Sequence, residues 1–248
     1  SAGIRQILKT MSETGSLHVY YSARIEQLVQ ALNRDISSYR QKKPNPLKPL
    51  DVIVPNGHIQ KFLMQRLTTL NGIVANLNCP FLETGLFKAL AATQSDSDQS
   101  SLLALEDIEI MVWGFLSQPD IKQNPALQPL TEYLSSHQNA ALAAQKRWQL
   151  ARQLSLLFID YELTRPEMIQ AWLNDQLFFS ASSSPRLKDL ETAQREVYIS
   201  VFDQSEQAVT LTGLLRCKAD RQTEHPQPLF IFVPSRLSPL HRHIILKL

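Results

Sequence analysis

The stretch Asp51-Val52-Ile53-Val54-Pro55-Asn56-Gly57-His58-Ile59-Gln60-Lys61-Phe62-Leu63 decides the fold class. Val52, Ile53 and Val54 form a β-branched run that stops at Pro55, as in a strand covered on both faces. Asn56-Gly57 is turn chemistry. Beyond it, Ile59, Phe62, Leu63 and Leu67 recur at helical spacing. A strand, a short turn and an amphipathic helix make half of a crossover unit, the sequence sign of a parallel sheet.

The same grammar holds on either side. Upstream, Leu17-His18-Val19-Tyr20-Tyr21 reads as a strand. A helix follows on Ile25, Leu28, Val29, Leu32 and Ile36, with Ser22 as its N-cap. Downstream, Ile73-Val74-Ala75-Asn76-Leu77 and Leu229-Phe230-Ile231-Phe232-Val233 read as further strands. From about residue 100 to 215 no strand is evident. Helical periods appear there at Ile108, Met111, Val112, Phe115 and Leu116, then at Leu150, Leu154, Leu157, Phe158 and Tyr161, and again at Leu190, Ala193, Val197 and Val201. Linkers at 119–129 and 180–185 are rich in Pro or Ser.

The predicted fold is therefore α/β: a mostly parallel sheet with crossover helices, interrupted by a helical insertion of about 100 residues. The expected divisions are an N-terminal extension (1–16), a first α/β part (17–99), the insertion (100–225) and a return to the sheet (226–248). A last helical stretch carries Leu237, Leu240, Ile244, Ile245 and Leu248, and a helix at the very end suggests a fragment of a longer protein.

Composition narrows the function classes. The 248 residues carry a net charge of only +2, so bulk charge announces neither nucleic acid nor membrane. An apolar fraction of 44% fits a packed core and excludes disorder. Seven glycines are too few for several phosphate loops. Cys79 and Cys217 form no C-x-x-C pair, so a reducing compartment is expected, with neither zinc site nor disulfide framework. No apolar run approaches the roughly 18 residues of a membrane span. The first 15 residues lack the apolar core of a signal peptide, and Met11 is a candidate internal start.

Catalytic motifs are not evident. A phosphate loop needs glycines, a Lys and a Ser or Thr. The turn Tyr20-Tyr21-Ser22-Ala23-Arg24-Ile25 has no Gly and no Lys. Gly57 at a helix start could receive a phosphate on backbone N–H groups, or be an ordinary capped turn. Glu106-Asp107-Ile108-Glu109 opens a predicted helix, where acids favour the positive end of the dipole. His241 and His243, two apart on a helix, do not face each other, so a solvated basic patch is expected. No nucleophile elbow occurs. No cofactor, metal or catalytic residue is expected.

Basic residues do cluster: Arg40, Lys42, Lys43 and Lys48 in a Pro-rich loop; Lys61 and Arg66; Lys146, Arg147 and Arg152; Arg236, Arg242 and Lys247. Such groups neutralise phosphates, and aromatics beside them stack bases. Phe81 and Phe87 follow the third strand and Pro80. A solvated basic face over core aromatics is the plain alternative.

Five segments, in order, resemble the gamma-subunit (RecC) family of exodeoxyribonuclease V. They are Leu17-His18-Val19-Tyr20-Tyr21-Ser22-Ala23-Arg24-Ile25; Val54-Pro55-Asn56-Gly57-His58-Ile59-Gln60-Lys61-Phe62-Leu63; and Gly72-Ile73-Val74-Ala75-Asn76-Leu77-Asn78-Cys79-Pro80-Phe81. The fourth is Phe158-Ile159-Asp160-Tyr161 with Arg165-Pro166 and Trp172, and the fifth runs from Leu229 to Ser238-Pro239.

The resemblance implies a helicase-like (P-loop-type) topology without a phosphate loop, with a helical insertion like the 1B domain of such motors. It also implies a non-catalytic role in a cytoplasmic, heterotrimeric helicase–nuclease complex that processes double-strand breaks for recombination. The implied partners are single-stranded DNA, the duplex end, and RecB-like and RecD-like subunits; no membrane is implied.

By the same resemblance, the DNA-contacting positions are Asn56, Gly57, Lys61, Phe81, Phe87, Asp160 and Arg165. Where the family reads the Chi sequence, Pro55, Gly57, Lys61, Phe81, Phe87, Leu156 and Ile159 replace its side chains, Arg165 is kept, and Asp160 replaces a neighbouring Gln. Lost hydrogen-bonding groups cannot read the same base edges, so a strand-binding channel is expected rather than readout of the same octamer. Two other readings stay open: a module that docks a motor subunit without touching DNA, and an active nucleotide-driven motor.

Overall fold

A computed structural model describes residues 5–11, 15–42, 45, 47–92, 101–135, 139–179, 184–202, 208–217 and 228–248. The expected boundaries at 99/100 and 225/226 lie outside these residues, as do Lys43 and the Ser-rich 180–183. In chain order the elements are β1 (Arg5–Met11), β2 (Gly15–Tyr21), α1 (Ile25–Lys42), β3 (Leu50–Ile53), α2 (Gly57–Asn71), β4 (Leu77–Asn78) and α3 (Leu82–Ala91). There follow β5 (Ser101–Leu102), α4 (Leu105–Leu116), two short 3-10 turns (Pro119–Gln123, Pro125–Leu127), α5 (Gln128–Ser135), α6 (Ala140–Thr164) and α7 (Pro166–Leu173). The last are α8 (Pro185–Phe202), β6 (Ala208–Val209), α9 (Leu211–Cys217), β7 (Phe230–Ile231) and α10 (Pro239–Lys247). The chain forms two compact units, one of Ser1–Asp96, Lys218–Leu237 and Ile245–Leu248, the other of Ser97–Cys217 and Ser238–Ile244.

The first unit is built on a three-stranded parallel sheet in the order β4-β3-β7. The α/β reading therefore holds, with a small sheet. Val52 and Val54 point to a core made with Val29, Leu32 and Ile36 of α1 and Leu63 and Leu67 of α2. Ile53 points to the opposite face, against α3. Gly85 sits so close there that an added Cβ would lie 2.7 Å from Ile53 Cγ1. Only hydrogen fits, and the helix is set by that approach.

Two strand expectations need correction. Leu17–Tyr21 does form a strand, but β2 pairs antiparallel with β1 in a separate two-stranded sheet. Val19 and Tyr21 are 42% and 44% exposed, whereas a parallel strand is covered on both faces. The stretch set apart as an N-terminal extension thus contains β1. The run 73–77 is strand only at its end: Gly72 (φ 76°) closes α2, Ile73 is 81% exposed, and Asn76 takes a left-handed turn (φ 51°). Pairing with β3 then starts at Leu50↔Leu77. Arg40 belongs to this turn and not to a loop of free cations: it lies in the last turn of α1 and donates to the Ala75 and Asn76 carbonyls at 2.9 and 3.3 Å.

The second unit is helical, closed by two strands that the sequence reading missed: β5 and β6 pair in parallel over two residues each. Strands this short carry no period to read. The core gathers Ile108, Val112 and Leu116 of α4, Leu154 and Phe158 of α6, Trp172 of α7 and Tyr198 of α8. Two buried carboxylates cross-link it. Glu191 accepts from Trp172 Nε1 (2.9 Å) and from the backbone N–H of Phe178 and Phe179 (2.5 and 3.0 Å). Glu162 accepts from the hydroxyls of Tyr198 (2.8 Å) and Thr212 (3.2 Å). Burial pushes the Glu162 pKa up, against the pull of those hydroxyls and of Thr210. His241 is buried too, with no partner at Nε2 among the described residues, so the expected basic patch keeps only Arg242 and His243 on the surface. Desolvation lowers the His241 pKa.

Two consequences are measurable. Gly85→Ala should destabilise the chain by about 1–3 kcal/mol, the range for overpacking, in a urea melt. Pairing it with Ile53→Val should recover part of the loss, and an unchanged midpoint in the single variant would contradict the close approach. For Glu162, the folded pKa lies above its ordinary 4.5. Its stability contribution is full below that value and lost as pH rises through the raised one. Glu162→Gln lacks this dependence, so the melting-temperature difference, variant minus wild type, should grow from pH 4 to pH 8. A difference flat with pH would contradict it.

Candidate nucleic-acid interface

The first cluster lies where the strands of the first unit end. β3 runs into Val54-Pro55-Asn56, and α2 starts at Gly57. Asn56 is the N-cap: its Oδ1 accepts from the N–H groups of His58 (3.1 Å) and Ile59 (3.0 Å). Those donors are the ones a phosphate would need at this helix start. The capped turn is what is built here, and Asn56 serves the backbone through its side-chain oxygen. At the earlier turn, Ser22 is likewise engaged, donating to Gln27 Oε1 (2.5 Å) and accepting from Arg24 N–H (3.1 Å).

Phe81 comes to the same place from β4. The Val54 N–H donates to Pro80 O at 3.0 Å, and Val54 and Phe81 form a parallel bridge. Phe81 then caps α3, its carbonyl accepting from Gly85 N–H at 2.7 Å. Its backbone is fixed on both sides while its side chain stays half exposed, at 50%. The ring reaches Gly57, where a Cβ would stand 4.0 Å from Phe81 Cζ. Lys61, one helical turn from Gly57 and on the same face, is exposed. Asn56, Gly57, Lys61 and Phe81 therefore share one surface. Phe87 does not: at 8% exposure its ring packs inside, on the buried side of α3, and offers no face to a base.

Beside this surface is a shallow depression of about 510 Å³, lined by Asp51, Gln60, Leu77, Asn78, Cys79, Pro80 and Lys88. Asn78 donates to Asp51 across β4 and β3 at 3.0 Å. The Cys79 thiol is free, and burial raises its pKa. Sequence reading had passed over Lys88 for its neighbour Phe87. Lys88 is the exposed position on a stretch of α3 whose Leu86, Phe87, Ala89 and Leu90 are buried.

The second cluster is in the helical unit. Asp160 is exposed in the last turn of α6. Arg165 ends α6 and begins α7, with φ −133° and ψ 55°, and its N–H donates to Tyr161 O at 2.8 Å. Pro166 at the first position of α7 enforces this break. The Arg165 guanidinium lies over the Tyr161 ring, 5.3 Å from its centroid. The Tyr161 pKa is raised, mostly by burial, with Arg165 pulling the other way. Several other cations are in use: Arg66 pairs with Glu26 (3.8 Å), Arg152 with Glu109 (3.7 Å), and Lys146 lies over Tyr133 at 4.7 Å. Among the described residues no group of His, Cys, Asp and Glu could hold a metal ion, and no helix is long and apolar enough to cross a membrane.

Comparison with known proteins gives the chain a family. The chain is similar to the RecBCD enzyme subunit RecC of Haemophilus influenzae, with 27% identity over 156 residues. That match takes in 62% of this chain and 13% of the relative's length. Residues 17–248, from β2 to the last residue of the sequence, match the family described as RecC, N-terminal domain, and the chain belongs to that family.

Proposed function

We propose that this chain is a non-catalytic, DNA-guiding and scaffolding part of an exodeoxyribonuclease V (RecBCD) complex, acting in recombinational repair of double-strand breaks. The family match over residues 17–248 carries the reading. The parallel sheet is then a helicase-like framework whose strand-to-helix turns satisfy their own donors instead of a nucleotide's. Its partners are RecB-like and RecD-like subunits and a DNA strand from the opened duplex end. The Lys61 ammonium meets a phosphate, and the half-exposed Phe81 ring, on its fixed backbone, stacks an unpaired base. Arg165 and Asp160 supply further contacts from the helical unit. The side chains present give backbone binding and stacking more than base-edge readout, so a Chi-like sequence would be read differently here. Docking of a motor subunit without DNA contact is the second reading, and the exposed Ile110 and Trp113 of α4 favour it.

Anisotropy of a labelled oligo(dT) strand at several salt concentrations tests the choice. Affinity should fall linearly on a log–log plot against salt. Lys61→Ala should reduce the slope by about 0.7–1, and Phe81→Ala should cost about 1–3 kcal/mol of binding. Binding with no salt dependence, or none at all, would favour docking alone.

A further inference from the structure

The helix α6 is 25 residues long, about 37 Å at 1.5 Å per residue. Its inner face packs Ala151, Leu154 and Phe158 into the helical core. Its outer face is exposed at Gln145, Trp148, Gln149, Arg152, Gln153 and Leu156. These positions recur every three or four residues, so they form one stripe. Trp148 is 42% exposed, and the Arg152 side chain 61%. Residues 140–159 contain Lys146, Arg147 and Arg152 and no Asp or Glu. The stripe therefore presents a π-face, a cation and three amides, with no acid of its own helix before Asp160. One acid comes from a neighbour: Glu109 of α4 lies 3.7 Å from Arg152. Glu109 is largely buried, its side chain 11% exposed, and meets the guanidinium at Nε, while the Arg152 side chain is 61% exposed, so a phosphate can reach the guanidinium without breaking the pair.

We propose that single-stranded nucleic acid lies along this outer face of α6, bases stacking on Trp148 and phosphates meeting Arg152. The path continues the Asp160 and Arg165 contacts toward the start of the same helix, and so rests on the DNA-guiding reading above. The amides of Gln145, Gln149 and Gln153 offer hydrogen bonds to any base, which suits a strand held without strict sequence readout.

Tryptophan fluorescence tests it in the full chain. Trp172 is buried at 1% and Trp113 is 41% exposed, so a Trp113→Phe background leaves Trp148 as the exposed reporter. Oligo(dT) should quench that emission in step with the anisotropy change. Trp148→Ala should weaken binding about five- to a hundredfold, the range for one base–aromatic stack, while Trp148→Phe keeps most of it. Arg152→Ala should lower the salt slope. Trp148 is exposed, so an unchanged melting temperature checks the fold of its variants, and Arg152→Lys, which keeps a cation beside the largely buried Glu109, should retain the slope that Arg152→Ala loses. Oligonucleotide binding with unquenched Trp148 and unchanged affinity in Trp148→Ala would overturn the path along α6, leave the Lys61 and Phe81 reading standing, and assign the face to protein docking. No binding at any salt would remove both.

Discussion

Four residues, Leu50–Ile53, hold the first unit together. β3 is the only strand of its sheet with a partner on each edge, β4 on one side and β7 on the other. Val52, Ile53 and Val54 are fully buried. A strand so placed has no slack: one face meets α1 and α2, and the other meets α3 at a distance only glycine permits. The exit of this strand is thereby fixed, and with it the start of α2 and the bridge to Phe81. The proposed DNA surface inherits its rigidity from that strand and from the Asn56 side chain, which caps α2.

The helical unit solves the same problem differently. Among the described residues it has no central strand, and buried carboxylates tie distant segments together. Glu191 fixes the chain after α7 to α8, and Glu162 joins α6, α8 and the start of α9. Burying an acid is unfavourable unless its oxygens are satisfied, and a satisfied one specifies a single arrangement. Apolar packing of Trp172, Tyr198 and Phe158 at edge-on angles fills the space between.

Much of this was legible in the residues, and the failures share a cause. Helical periods at Ile25–Ile36, Ile108–Leu116 and Leu150–Tyr161 show in sequence because a helix declares its buried face every three or four residues. β3 shows because both its faces are covered, and β7 because it lies in a continuous apolar run, Leu229 to Val233. Pairing partners do not show: Leu17–Tyr21 looks like any apolar strand, and only its register with β1 reveals the antiparallel hairpin. The place of Phe81 at the end of a strand was readable from the Pro80-Phe81 step, and the structure leaves it half exposed there. Phe87 was not separable from Lys88, because which of two helical neighbours faces inward depends on where α3 docks. His241 looked like surface for the same reason.

The pairing of β5 with β6 has an architectural corollary. Residues 101–102 and 208–209 lie one strand spacing apart, about 5 Å, although some hundred residues separate them. A segment whose two ends meet can lengthen, shorten or be exchanged while the flanking chain sees the same narrow gap, and closing that gap carries an entropy that grows only with the logarithm of length. The helices between β5 and β6 are thus free to diverge as a cassette, except where Ser238–Ile244 packs into the same unit.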